Sequence, residues 1–111
     1  MDYEKIIFTI IVHAGNARSI CYEALKLAKQ GNFDKAYDKV NKAGEELVEA
    51  HHIQSQMLHR EAAGEKHDLS LLLIHAEDHL MCAMLVKDMV EEFIELYKTI
   101  YKDKQNREQH R

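Results

Sequence analysis

The feature that most restricts the fold of this chain is the absence of proline from its 111 residues, which hold only four glycines. Proline and glycine interrupt regular structure, so their scarcity favours long helices. Helix-ending residues separate periodic apolar segments at Gly31-Asn32 and again within 63–68, which contains Gly64. The sequence therefore predicts three helices at about 3–30, 33–63 and 69–103, with Asp68 as the N-cap of the third.

Apolar residues recur every three or four positions along each predicted helix, which is the period of an amphipathic helix. Short connections make successive helices antiparallel neighbours. The sequence therefore predicts an all-α fold, an antiparallel up-down-up three-helix bundle, with one domain over residues 1–103. Residues 104–111 have no apolar anchor, and we expect this tail to fray. The predicted core stripe of the second helix is Phe33, Ala36, Val40, Ala43, Leu47, Ala50, Gln54 and Met57.

The third predicted helix has two apolar stripes. The stripe expected to face the core contains Leu72, Ala76, His79, Ala83, Val86, Val90, Phe93, Tyr97 and Ile100. The second stripe, displaced around the helix, contains Leu71, Ile74, Asp78, Met81, Leu85 and Met89. Two neighbouring helices can cover only one face, and an uncovered apolar stripe of this length is typical of an interface. We therefore expect a homo-oligomer that packs through the third helix, with Asp78 inside the contact.

Charge and cysteine usage exclude several classes of protein. The formal net charge of −4 argues against nucleic acid as a partner, because phosphate binding needs concentrated lysine and arginine. No secretory signal is evident, and the longest apolar stretch is broken at His75, which predicts a cytoplasmic protein without membrane insertion. Cys21 and Cys82 match no paired spacing and are predicted to be buried reduced thiols.

His75 and His79 are four residues apart, which makes them neighbours on one face of a helix. Such a pair can bind zinc, but no third ligand is evident and the order His-Ala-Glu-Asp-His differs from the metalloprotease arrangement. A neutral imidazole is also a nucleophile near pH 7, so one histidine could accept a phosphoryl group while the other assists. The third possibility is that both histidines are structural.

Asp78 lies in the middle of the second apolar stripe. In a cyclic oligomer its copies would approach one another near the symmetry axis, where like charges must be protonated or neutralised by a cation. A divalent ion such as magnesium, bound by one carboxylate from each subunit, would do this. Alternatively, Asp78 faces solvent or pairs with a lysine of its own chain.

Four segments together resemble one known family over nearly the whole chain. They are Leu-Leu-Ile-His-Ala-Glu-Asp-His-Leu-Met at 72–81, Ala-Gly-Asn-Ala-Arg-Ser at 14–19, Glu-Ala-His-His-Ile-Gln at 49–54 and Glu-Ala-Ala-Gly-Glu at 61–65. Their order and spacing resemble the lactose/cellobiose/chitobiose family of phosphotransferase-system enzyme IIA components. The resemblance implies a homotrimer of three-helix subunits, which together form a nine-helix bundle.

The resemblance also implies specific roles for residues of the third helix. His75 corresponds to the histidine that the histidine-containing phosphocarrier protein phosphorylates on Nε2, and the phosphoryl group then passes to a cysteine of enzyme IIB. This pathway takes up and phosphorylates a β-linked disaccharide or β-glucoside. Asp78 corresponds to the aspartate that meets its copies around a divalent cation, here expected to be Mg²⁺, at the trimer axis.

Other positions carry weaker expectations. His79 corresponds to the second histidine of the motif and is expected to be auxiliary, and Gln54 to a position that lines the cleft of a neighbouring subunit. Glu77 stands where the family commonly has glutamine, which adds a negative charge near the phosphorylation site. Leu72 and Leu80 are expected to contribute apolar surface for partner proteins. The alternative to a phosphocarrier is a non-catalytic helical oligomer or a metal-binding bundle.

Overall fold

The computed structural model describes residues 3–66 and 70–110. Three helices account for most of this chain: α1 (Tyr3–Lys29), α2 (Phe33–Ala62) and α3 (Leu71–Gln109). Each helix packs against the other two, and short connections reverse the chain direction, so the predicted up-down-up bundle is confirmed. The molecule measures 68 × 20 × 20 Å, and none of the described helices has a segment long and apolar enough to cross a membrane.

The helix ends follow ordinary capping chemistry. Gly31 and Gly64 both have positive φ angles, of 83° and 97°, as expected for residues that stop a helix. The N-cap of α3 is Ser70, whose hydroxyl oxygen accepts a hydrogen bond from the Leu73 amide at 3.1 Å. Asp68, which the sequence predicts for this role, lies outside the described residues. The Ser70 cap fixes the start of α3 at Leu71, four residues before His75.

The core is a single cluster of small and branched apolar side chains. In α2 its members are Ala36, Val40, Ala43, Leu47, Ala50 and Met57, which confirms most of the predicted stripe. In α3 they are Ala76, Leu80, Ala83, Val90 and Ile94, so the predicted core stripe of this helix is right only in part. Phe93 and Ile100 were expected in the core but are 40% and 52% exposed.

Helix α3 continues to Gln109, whereas the sequence predicted its end near residue 103. No proline or glycine occurs in this stretch, so nothing in it stops the helix. Residues 101–110 are all exposed, because this part of α3 extends beyond the main apolar core. A last segment with so little packing is free to open locally, and fraying of residues 104–111 in solution stays a prediction.

Candidate functional site

The face of α3 that turns away from the core is apolar and uncovered. Leu71, Ile74, Met81, Leu85 and Met89, which form the second predicted stripe together with Asp78, are each at least 49% exposed. Asp78 is exposed as well. We call these six residues the exposed stripe. Its existence confirms the prediction that two neighbouring helices cover only one of the two apolar faces of α3.

His75 and His79 form a close pair at one edge of this stripe. Their Nε2 atoms lie 3.0 Å apart, their ring centroids are 4.4 Å apart, and their planes make an angle of 87°. This distance fits a hydrogen bond in which one imidazole donates its N–H and the other accepts with its lone pair. The His75 ring is exposed and the His79 ring is half-buried. His75 is therefore accessible to another molecule, and His79 can orient its ring through the contact between the two Nε2 atoms.

Asp78 lies between these histidines in sequence, but its side chain belongs to the exposed stripe. Its Oδ1 accepts a hydrogen bond from the Cys82 thiol, one turn further along α3, whose Sγ lies 3.8 Å away. Cys82 is exposed, so the prediction of two buried thiols is correct only for Cys21. A negatively charged group amid exposed apolar side chains is costly to cover unless an opposite charge accompanies it.

Glu77 points to the opposite side of α3, toward α2. Its carboxylate accepts a hydrogen bond from the Nε2 amide of Gln54, and this contact ties α2 to α3. Both residues border a groove of about 350 Å³, which is otherwise lined mostly by apolar side chains such as Leu58 and Ile74. Glu77 is two residues after His75 in the sequence. Its contact with Gln54 cannot be predicted from the sequence, because contacts between helices do not follow from spacing within one helix.

The structure also changes the expected docking surface around His75. Leu80 was expected to contact partner proteins, but its side chain is fully buried in the core. Leu72 is half-buried and packs against the core, so only part of it can reach another protein. Exposed apolar side chains close in sequence to His75 are instead Leu71 and Ile74.

Another groove lies between α2 and α3 and has a volume of about 570 Å³. His51 lines it together with residues such as Val48, Met84 and Lys87, but His75, Asp78 and His79 do not. The Lys87 ammonium is paired with Glu91 at 2.5 Å. Volume alone does not make this groove the functional site, and the imidazole pair of His75 and His79 is on the other edge of α3.

A metal site within one chain finds little support in the described residues. Across 3–66 and 70–110, no group of three or more histidine, cysteine, aspartate or glutamate side chains is placed to hold a metal ion. His75 and His79 therefore have no third ligand for zinc in this part of the chain. A single carboxylate such as Asp78 would need further copies of the chain to complete a coordination shell.

Comparison with known proteins gives one consistent result. The profile of the family described as "PTS system, Lactose/Cellobiose specific IIA subunit" matches residues 5–98. The lichenan-specific phosphotransferase enzyme IIA component of Bacillus subtilis (strain 168) is 52% identical over 99 residues, which are 89% of this chain and 90% of the relative.

Solved structures agree with this match. The crystal structure of the cellobiose-specific enzyme IIA from Bacillus anthracis matches with a TM-score of 0.89 and 48% identity. The match covers 92% of this chain and 94% of the crystallised chain. An N,N'-diacetylchitobiose IIA protein, solved in solution as a complex with HPr, has a TM-score of 0.81 and 36% identity, with coverage of 91% and 98%. Both likenesses extend over all three helices.

Proposed function

Since the chain belongs to the lactose/cellobiose-specific IIA family of the phosphotransferase system, we propose that it is a cytoplasmic phosphocarrier that uses His75. It accepts a phosphoryl group from HPr, the histidine-containing phosphocarrier protein, and passes it to a cysteine of the cognate enzyme IIB. The sugar taken up is a β-linked disaccharide or β-glucoside. The observation that carries the proposal is the exposed His75 ring, whose Nε2 lies 3.0 Å from that of His79 on a helix matched by the family profile.

The transfer at His75 is a nucleophilic displacement at phosphorus. The Nε2 lone pair attacks in line, so that the new N–P bond forms while the N–P bond to the donor's histidine breaks and its electron pair returns to the donor imidazole. In the second step, the thiolate of enzyme IIB attacks the same phosphorus. The S–P bond forms, the N–P bond breaks, and the His75 lone pair is restored.

His79 supports this chemistry through its own Nε2. When His79 donates its Nε2–H to His75, the His75 ring is the tautomer that carries its proton on Nδ1, so Nε2 has a lone pair. That lone pair becomes available to phosphorus when the hydrogen bond from His79 breaks. After the transfer, the same N–H of His79 can donate to an oxygen of the phosphoryl group. Such hydrogen bonds to charged oxygens position the group and stabilise it.

The exposed stripe supports assembly of the chain into a homotrimer. Five of its six members are large apolar side chains, and their burial at about 25 cal/mol per Å² favours association through α3. A threefold axis along this stripe would bring three Asp78 carboxylates together. Oxygen ligands suit a divalent cation, and we propose Mg²⁺, which when bound would neutralise the clustered negative charge.

Incubation with phosphoenolpyruvate, enzyme I and HPr tests the phosphocarrier directly. The wild-type chain should acquire a label that is lost in acid and stable in alkali, and that passes on when the cognate enzyme IIB is added. His75→Gln should abolish the label, whereas His52→Gln, which changes an exposed histidine of α2, should retain it. If His75→Gln is labelled like the wild type, His75 is not the acceptor. If no variant is labelled, the chain is a non-catalytic helical oligomer or metal-binding bundle instead.

A further inference from the structure

Glu77 and His75 lie on opposite sides of the exposed stripe. Successive residues of an α-helix are about 100° apart, which places His75 about 60° to one side of Asp78 and Glu77 about 100° to the other. The contacts agree with these directions, because His75 meets His79 while Glu77 meets Gln54 of α2. Within one chain, the Glu77 carboxylate therefore points away from the reactive imidazole.

In a ring of subunits, the His75 side of one chain can face the Glu77 side of the next chain. Around a threefold axis each interface is formed by two different surfaces, so one side of the stripe in each subunit meets the opposite side in the next subunit. With Asp78 nearest the axis, the side that carries His75 faces the neighbour's side that carries Glu77. The same side of the neighbour includes α2 with Gln54, and the groove between α2 and α3 lies there.

The Glu77 carboxylate is held in place on that side. Gln54 donates to it, it is half-buried, and the groove around it is lined largely by apolar side chains such as Leu58 and Leu73. A second carboxylate, that of Glu61, borders the same groove, whereas no lysine or arginine among the described residues lines it. The charge of Glu77 consequently acts from a defined position and without a neutralising cation in that groove.

We infer that Glu77 of one subunit sets the phosphorylation equilibrium of His75 in the next subunit. This inference rests on the proposed phosphocarrier function and on the trimer. The phosphoryl group on a histidine carries close to two negative charges, and a nearby fixed carboxylate raises its free energy. Glu77 forms and breaks no bond. Its charge makes the unphosphorylated chain a weaker acceptor from HPr, and it makes the phosphorylated chain a stronger donor to the thiolate of enzyme IIB.

Glu77→Gln tests the charge while keeping a side chain of the same shape that can still bond to Gln54. With HPr as the exchanging partner, the equilibrium constant for phosphorylation should rise about 3- to 10-fold, and this difference from wild type should shrink in concentrated salt. Glu92→Gln is the matched control, because it removes the same charge from an exposed position about 22 Å along α3 from Glu77. Equal equilibria for wild type and Glu77→Gln would overturn the inference.

Trimers of mixed composition test whether the charge acts between subunits. Three differently tagged chains, one with Glu77→Gln and two with His75→Gln, can be co-expressed and purified on all three tags as trimers of that composition. The single reactive histidine then has Glu77 only on its neighbours, and we expect the wild-type equilibrium. In the reverse trimer, one wild-type chain joins two chains that carry both substitutions, and the equilibrium should match that of Glu77→Gln.

The opposite pattern, in which the equilibrium follows the chain that carries the reactive histidine, would overturn the inference and leave the phosphocarrier intact. Loss of the proposed function has a different signature. In that case trimers made only of wild-type chains would not be labelled at His75 at all.

Discussion

His75 and Glu77 are two residues apart on α3, yet their side chains leave the helix in nearly opposite directions. The His75 imidazole meets His79 of its own helix, and the Glu77 carboxylate meets Gln54 of α2. Helical geometry explains this divergence, because residues at i and i+2 do not face each other. A charge that is adjacent in sequence therefore points away from the reactive imidazole within the subunit.

Replacement of His79 should slow phosphorylation of His75. His79→Phe keeps a ring of similar size but removes the Nε2–H donor, and we expect a rate loss of about 10- to 100-fold, the value of a hydrogen bond to a charged group. His79→Gln retains an N–H donor and should lose less. Rapid-quench labelling by phosphorylated HPr measures both rates, with His52→Gln as the control. Equal rates for His79→Phe and wild type would show that His79 only fills space.

Asp78→Leu should preserve or tighten the trimer. It replaces a cluster of like charges at the proposed axis with apolar packing, and such exchanges are often neutral or stabilising by about 1–4 kcal/mol. Sedimentation with and without a chelator measures the result: the wild type should depend on the divalent cation and Asp78→Leu should not. A wild-type chain that sediments as a monomer under all conditions would contradict the proposed interface.

Leu80 and Leu85 should respond differently to truncation because they lie on opposite faces of α3. Leu80 is fully buried and Leu85 is 62% exposed. Leu80→Ala should lower the free energy of unfolding by about 2–5 kcal/mol at any protein concentration. Leu85→Ala should weaken association instead, which sedimentation over a dilution series detects. Association of Leu85→Ala that equals that of wild type would place the interface away from the exposed stripe.

Tyr37 should make stability depend on pH in the alkaline range. Its hydroxyl donates to the Glu95 carboxylate, and this hydrogen bond, followed by desolvation and the charge of Glu95, raises the pKa of Tyr37 from 10.0 to about 12. Since the folded-state pKa is the higher one, the contribution is complete below pH 10 and is lost as pH rises to about 12.

Tyr37→Phe should therefore be less stable than wild type at neutral pH, by less than about 1 kcal/mol because the contact is partly open to solvent. The difference in the free energy of unfolding between the two chains should disappear as the pH rises from 10 to about 12. Chemical denaturation of both chains at a series of pH values measures it. A difference that stays constant up to pH 12 would show that the hydrogen bond from the Tyr37 hydroxyl to Glu95 is not its source.

The amino-acid pattern predicts the bundle and its exposed stripe because both depend on local features. Gly31 and Gly64 end helices where periodic segments stop, and the regular spacing of small residues in α2 indicates one buried face. The uncovered face of α3 is predictable because this helix has two apolar stripes, and its two neighbouring helices can cover only one of them. The family resemblance is confirmed by the profile match, and the roles that it implies for His75, His79 and Asp78 remain predictions.

The errors in α3 have a geometric cause. The predicted core stripe includes His79, Val86, Phe93 and Ile100, which repeat every seven residues, and such a repeat drifts by about 20° per heptad around a straight helix. The drift carries Phe93 and Ile100 away from the core, which Leu80 and Ile94 occupy instead. The contact between Glu77 and Gln54 could not be predicted either, since it depends on how α2 and α3 are aligned.

The position of the phosphoryl group on the chain tests the central claim most directly. The protein, isotopically labelled in its histidine nitrogens, can be phosphorylated with phosphoenolpyruvate, enzyme I and HPr and then studied by NMR. We predict that coupling to phosphorus appears at Nε2 of His75 and at no other ring nitrogen. Coupling at Nδ1 of His75, at His79 or at any other histidine, or no phosphohistidine at all, would contradict the account.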